Sequence, residues 1–199
     1  MRTVLTLATI ALVASVSASD TLELANGQSP NGNFSVRVRA PVDSGAMPRL
    51  EIISVAAKTV VGTTDTGGYA HYPAVAGDTS TSVLWSPDSK QLAVMTRGTK
   101  RSTELRLYRV TASGLTEVLL PSSTDRAFQL LKATDAYRCV FQRPKSWIDN
   151  DTLVVLASGD VTNTKGDKMP IWYEVEVTFN VPAKKITNAK IIITKPKVG

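Results

Sequence analysis

The chain is poor in the residue types on which most enzyme chemistry depends. Its 199 residues include one cysteine, Cys139, and one histidine, His71. A lone cysteine excludes an internal disulfide, so the fold has to rest on a packed core. One histidine and one cysteine leave zinc without a ligand set. A serine triad would have His71 as its base, and no serine stands in a nucleophile-elbow motif. There is no glycine-rich phosphate loop and no basic–aromatic pattern of the kind RNA readers carry, which argues against a nucleic-acid partner. Asp149-Asn150-Asp151 and Asp160-Val161-Thr162-Asn163 offer oxygen ligands, but neither has calcium-loop spacing with a closing glutamate. The sequence therefore nominates no catalytic residue, no metal site and no cofactor. A facing pair of carboxylates, about 5 to 10 Å apart as in glycosidases, is the one arrangement that sequence leaves open.

What is present begins with a leader. Arg2 precedes an apolar run from Val4 to Val16, and Val16-Ser17-Ala18 has the small-x-small pattern of a signal-peptidase site. The run is too short to span a bilayer with margin, and no stop-transfer pattern follows. The expectation is cleavage after Ala18, leaving residues 19–199 as one soluble, β-rich domain without an integral membrane segment, in the periplasm or secreted. Lysine and arginine number 23 against 17 acids, a net charge of +6 that becomes +5 when Arg2 leaves with the leader. That excess serves solubility and also makes an anionic polymer a candidate partner. Cys139 lies in the apolar run Tyr137-Arg138-Cys139-Val140-Phe141 and is expected to be a buried, inert thiol.

The strongest internal signal is a repeat. Ser29-Pro30-Asn31-Gly32-Asn33 leads into the alternating segment Phe34–Val38. Fifty-seven residues later Ser86-Pro87-Asp88-Ser89-Lys90 leads into Leu92–Met95. A looser third copy is Trp147-Ile148-Asp149-Asn150-Asp151 before Leu153–Leu156, with Trp147 matching Trp85. Proline fixes φ near the value a turn requires, and Asn or Asp followed by Gly or Ser closes the bend. A second strand follows in each unit, at Leu50–Val55, Leu105–Val110 and Tyr173–Val177. Third-strand candidates are Thr59–Val61, Leu115–Leu119 and Ile191–Ile193. Each unit reads as a meander of three or four strands. Between the second and third units, Thr124–Lys132 has helix-forming residues, with Ala127, Leu130, Leu131 and Thr134 on one face. A short helix is expected there, with a strand as the alternative.

The segment Trp85-Ser86-Pro87-Asp88-Ser89-Lys90-Gln91-Leu92-Ala93-Val94, followed by Glu104-Leu105-Arg106-Leu107-Tyr108, resembles the propeller repeat of TolB-like proteins and of dipeptidyl-peptidase-type N-terminal domains. Ser89 stands where that repeat usually has glycine. The resemblance implies an all-β fold of antiparallel meander sheets, with three propeller-blade-like units and one short helix. The alternative is a β-sandwich. Propellers close with about 4 to 8 blades, so three units imply an open arc, a ring of two chains or a sandwich. TolB-like repeats serve protein contacts, and the peptidase relatives keep their chemistry in a separate domain that this chain is too short to contain.

Two segments are candidates for binding. The connection from Gly62 to Ser82 contains Tyr69, His71 and Tyr72, side chains that both stack and hydrogen-bond. Arg97, Lys100 and Arg101 form a basic group between two strands of the second unit, suited to an anionic partner. Lys184, Lys185, Lys190, Lys195 and Lys197 add a basic C-terminal run that would also protect an edge strand. The expected function is an exported, non-catalytic binding or scaffolding module that contacts a protein partner or a second copy of itself. The alternative is a small secreted hydrolase using carboxylates on a β-sandwich.

Overall fold

A computed structural model describes residues 21–39, 48–65, 81–135, 139–163 and 171–196. The leader and the segment holding Tyr69, His71 and Tyr72 lie outside the described residues, as does Lys197.

The repeat is visible as three four-stranded antiparallel meanders. The first is β1 (Thr21–Glu23), β2 (Phe34–Arg39), β3 (Arg49–Ser54) and β4 (Thr59–Asp65), paired in that order. The second is β5 (Thr81–Trp85), β6 (Gln91–Thr99), β7 (Ser102–Thr111) and β8 (Gly114–Glu117). Next come α1 (Ser123–Leu131) and the short β9 (Ala133–Asp135). The third meander is β10 (Val140–Trp147), β11 (Thr152–Asn163), β12 (Ile171–Asn180) and β13 (Lys185–Pro196). Each expected strand is there. The strand that opens each unit (β1, β5 or β10) had no sequence signal of its own.

The turns are built from the side chains that repeat. The Ser29 hydroxyl donates to Asn31 Oδ1 (2.9 Å) and accepts from the Phe34 N–H (3.0 Å). The Ser86 hydroxyl does the same with Asp88 Oδ1 (2.7 Å) and the Gln91 N–H (2.9 Å). Gly32 and Ser89 occupy the same left-handed position, at φ of 73° and 62°. A non-glycine residue there is strained, but the Ser89 hydroxyl accepts the Asn31 N–H at 3.0 Å and so ties the second turn to the first. That contact gives a physical reason for serine in place of glycine. In the third turn, one residue shorter, Asp149 accepts from the Asp151 N–H (2.8 Å) and the Thr152 hydroxyl (3.1 Å).

The three sheets pack face to face in a row, through two cores. One joins the first and second units through Val36, Val38, Leu50 and Ile52 against Val83, Trp85, Leu92, Val94, Tyr108 and Val110. The other joins the second and third through Ala93 and Leu107 against Leu153, Val155, Ala157, Tyr173, Val175, Val177 and Phe179. Successive residues of a strand point to opposite faces, so Leu92 and Val94 serve the first core while Ala93 serves the second. The tryptophans repeat this geometry. Trp85 Nε1–H donates to Gly27 O (2.9 Å), and Trp147 Nε1–H donates to Leu84 O (3.3 Å). Each ties its unit to the carbonyl just before the turn of the preceding one.

Three details differ from expectation. The second and third units share a hydrogen-bonded sheet, because β10 starts parallel to β7 at Val140 and Ser102. The helix starts at Ser123 behind the Ser122 N-cap and stops at Leu131. Lys132 is left-handed at φ 51°, so Thr134 belongs to β9 rather than to the helix face. Cys139 is half-buried rather than buried, and its backbone N–H donates to Asp160. Gly159 makes that engagement possible: a Cβ there would lie 2.2 Å from Cys139 O.

Candidate functional site

Strand direction separates two ends of the row. The Ser29, Ser86 and Asp149 turns and the β3–β4, β7–β8 and β12–β13 hairpins lie at one end. All are tight, and the polar side chains that build the three turns are turned back onto their own backbone. The other end carries the β6–β7 hairpin tip. The longer connections between described strands also attach there, including residues 40–47, 66–80 and 164–170, since Arg39 pairs with Arg49, Asp65 with Arg49 and Thr81 with Thr96. The two candidate binding segments thus attach to the same end, although only the basic one is described.

Arg97 is half-buried at this tip, whereas Lys100 and Arg101 are exposed. Their backbone is held in place. Arg97 donates to Thr99 O and Lys100 O, each at 3.4 Å, and the Arg101 N–H donates to Thr99 Oγ1 (3.1 Å). Arg101 O accepts the Val140 N–H (2.8 Å), and Thr103 Oγ1 donates to Gln142 O (2.8 Å) and accepts the Gln142 N–H (2.7 Å). The tip is therefore braced against the first strand of the third unit, presenting Lys100 and Arg101 from a backbone that Arg97 helps to hold. Lys184, Lys185 and Lys190 are exposed along the outermost strand or its hairpin, well placed to discourage edge pairing.

Several of the described carboxylates are tied to structural partners. Burial alone would raise the Glu51 carboxyl, but hydrogen bonds and charges from Arg37 and Arg39 outweigh it and hold the group below the usual carboxylate range. Glu176 is lowered by its hydrogen bond with Lys145, against burial, and further by Lys190. For Asp88, burial opposes ionisation, yet the Ser86 hydroxyl and the Lys90 N–H prevail and lower it. Asp149 is lowered by the Asp151 N–H and the Thr152 hydroxyl. The buried Asp160 accepts the Cys139 N–H at 2.6 Å. Among the described residues, no three His, Cys, Asp or Glu side chains converge on a metal-sized site.

A cleft of about 230 Å³ opens between the second and third units. Leu105, Leu107, Leu120 and Phe179 form its apolar wall, with Arg106, Glu117 and Gln142 as polar groups. Ser123 Oγ donates to Gln142 Oε1 (2.7 Å), which turns that amide oxygen toward the helix. The sequence did not point to this cleft, because it forms where β8 and β10 diverge along β7.

No family model and no curated protein matches the chain. Solved structures do. The chain is similar to a putative TolB from Agrobacterium tumefaciens, at 12% identity and a TM-score of 0.39, over 85% of this chain and 49% of that one. It is similar to the acylaminoacyl peptidase of Pyrococcus horikoshii, at 12% identity and a TM-score of 0.39, over 82% of this chain and 23% of that one. TolB from Acinetobacter baumannii matches at 10% identity and a TM-score of 0.36, over 89% and 43%. The chain spans about half the length of these relatives or less. No described helix is long and apolar enough to cross a membrane.

Proposed function

We propose that the protein is an exported, non-catalytic binding module that contacts a protein partner through the hairpin-tip end of its three-unit row. The observation that carries this reading is the contrast between the two ends. At the turn end, side-chain oxygens are occupied by their own backbone, whereas Lys100 and Arg101 are exposed on a braced hairpin whose tip carbonyls are held by the half-buried Arg97. Rigid sheets that display loops are a common basis for recognition. The resemblance of the Trp85–Val94 element to repeats that serve protein contacts supports the same reading. Tyr69, His71 and Tyr72 belong to the proposed surface as stacking and hydrogen-bonding groups.

The test has two arms. The purified protein should not turn over peptide, ester or glycoside substrates. Turnover that is abolished by one Asp or Glu substitution, or by His71→Ala, would instead establish the hydrolase alternative. Retention on a sulfated-polysaccharide column, the probe for anionic surfaces, should be lost in the triple variant R97E/K100E/R101E while circular dichroism stays unchanged. Undiminished retention would remove the tip as an anion-binding surface.

A further inference from the structure

The hydrogen bonds that close the units give a residue-by-residue alignment. The Val55 N–H donates to Asn33 O, the Val110 N–H to Lys90 O and the Val181 N–H to Asp151 O, so these residues are equivalent. On this alignment, the face that looks back to the preceding unit carries Leu92, Val94 and Arg106 in the second unit. In the third it carries Leu153, Val155 and Val177. In the first unit the same places hold Ser35, Arg37 and Glu51. The face that looks forward carries Val36, Leu50 and Ile52 in the first unit and Ala93, Leu105 and Leu107 in the second. In the third it holds Val154, Glu176 and Thr178. The two outward faces of the row therefore carry Arg37 and Glu176 at places that are apolar in both other units, and Glu51 at a place held by Arg106 in the second unit and by Val177 in the third.

The charges are organised alike at the two ends. Glu51, with its side chain 5% exposed, bridges Arg37 (2.8 Å) and Arg39 (3.1 Å) across the back of the first sheet. Glu176 bridges Lys145 and Lys190 (3.3 Å to the latter) across the front of the third. In each case a carboxylate in the third strand of the unit holds two cations over the surface that another sheet would have to cover. Docking a sheet there would strip water from all three charges, a cost that an apolar partner surface cannot offset. Repeat arrays need such polar outer faces on their terminal units to remain soluble.

We propose that Glu51 and Glu176 are end caps that terminate the row at three units, so that the chain neither closes into a ring with a second copy nor grows by stacking. This goes beyond the binding role, which it neither requires nor uses. Light scattering on the purified full-length protein should give the monomer mass at micromolar concentration. Two variants restore the inner-face residues, R37V/E51V at the back and E176L/T178L at the front. Each alone should keep the monomer mass, and an equimolar mixture should give at least twice that mass, since only then do two apolar faces meet. A wild-type protein that is already oligomeric would overturn the proposal. So would a mixture that stays monomeric while both variants retain native circular dichroism. If a variant does not fold, the wild-type mass still decides whether the ends are closed to a second copy.

Discussion

Trp85 gives the most quantitative test of the way the units are joined. Its side chain is 6% exposed, its indole N–H donates to Gly27 O at 2.9 Å, and its ring stacks on Phe34 with centroids 6.1 Å apart. Trp85→Phe keeps an aromatic ring but removes the donor and part of the volume. Gly27 O keeps the Val36 N–H (3.0 Å) as a donor, so losing the indole bond costs about 0.5–1.5 kcal/mol, and the weakened ring pair and small cavity add about 1 kcal/mol. The expected loss is about 1.5–2.5 kcal/mol, a sizeable share of the roughly 5–15 kcal/mol available to a domain. For a chain of this length that corresponds to a Tm lowered by about 3–10 °C. Trp147→Phe is the internal control. Its hydrogen bond to Leu84 O is longer, 3.3 Å, and only part-buried, so its loss should cost about 1 kcal/mol or less. Urea unfolding followed by far-ultraviolet circular dichroism measures both. A Trp85→Phe cost below about 1 kcal/mol, or no greater than that of Trp147→Phe, would refute the assignment of Trp85 as the tie between the first two units.

Three further outcomes follow from particular contacts. Gly159→Ala places a Cβ 2.2 Å from Cys139 O, an obstacle of backbone rather than a movable side chain, so stability should fall by about 3 kcal/mol or more, or β10 should separate from β11; a neutral effect in thermal denaturation would contradict the register. Ser89→Gly relieves the φ of 62° but gives up the bond from the Asn31 N–H, so it should be near neutral, whereas Ser89→Ala keeps the strain, loses the bond and should cost about 1–2 kcal/mol. The pH dependence has a definite sign: Glu51, Glu176 and Asp88 are depressed in the folded state, so their contribution is present above the ordinary carboxylate pKa and is lost as pH falls through the lower folded values. Stability should decline below about pH 4. E51Q/E176Q should flatten that decline, and an unchanged acid profile would contradict the ion-pair assignment.

Much of the architecture was legible because it rests on local chemistry repeated along the chain. Serine, proline, Asn or Asp, and a small residue in order specify a turn whichever unit holds them, and the apolar alternation that follows specifies a half-buried strand. Two of the opening strands, β1 and β10, were not legible for different reasons. β1 has three residues, and β10 contains Pro144 beside a bulge and has no period-two apolar pattern. The parallel start of β10 against β7 depends on where α1 delivers the chain, which no local pattern encodes. The end caps did have a signal. Arg37 and Glu51 stand where the third unit has Val155 and Val177, a contrast that emerges once the three copies are aligned position by position. The basic tip was legible as composition, but its bracing by Val140 and Gln142 comes from residues about forty positions away.

The account depends most on successive units being stacked so that Trp85 and Trp147 each reach the unit before their own. A proton NOE spectrum of the labelled protein tests this directly. The Trp85 indole N–H should show cross-peaks to Gly27 and to the Phe34 ring, and the Trp147 indole N–H should show cross-peaks to Leu84. Indole protons that see only their own unit, or that exchange freely with water, would contradict it.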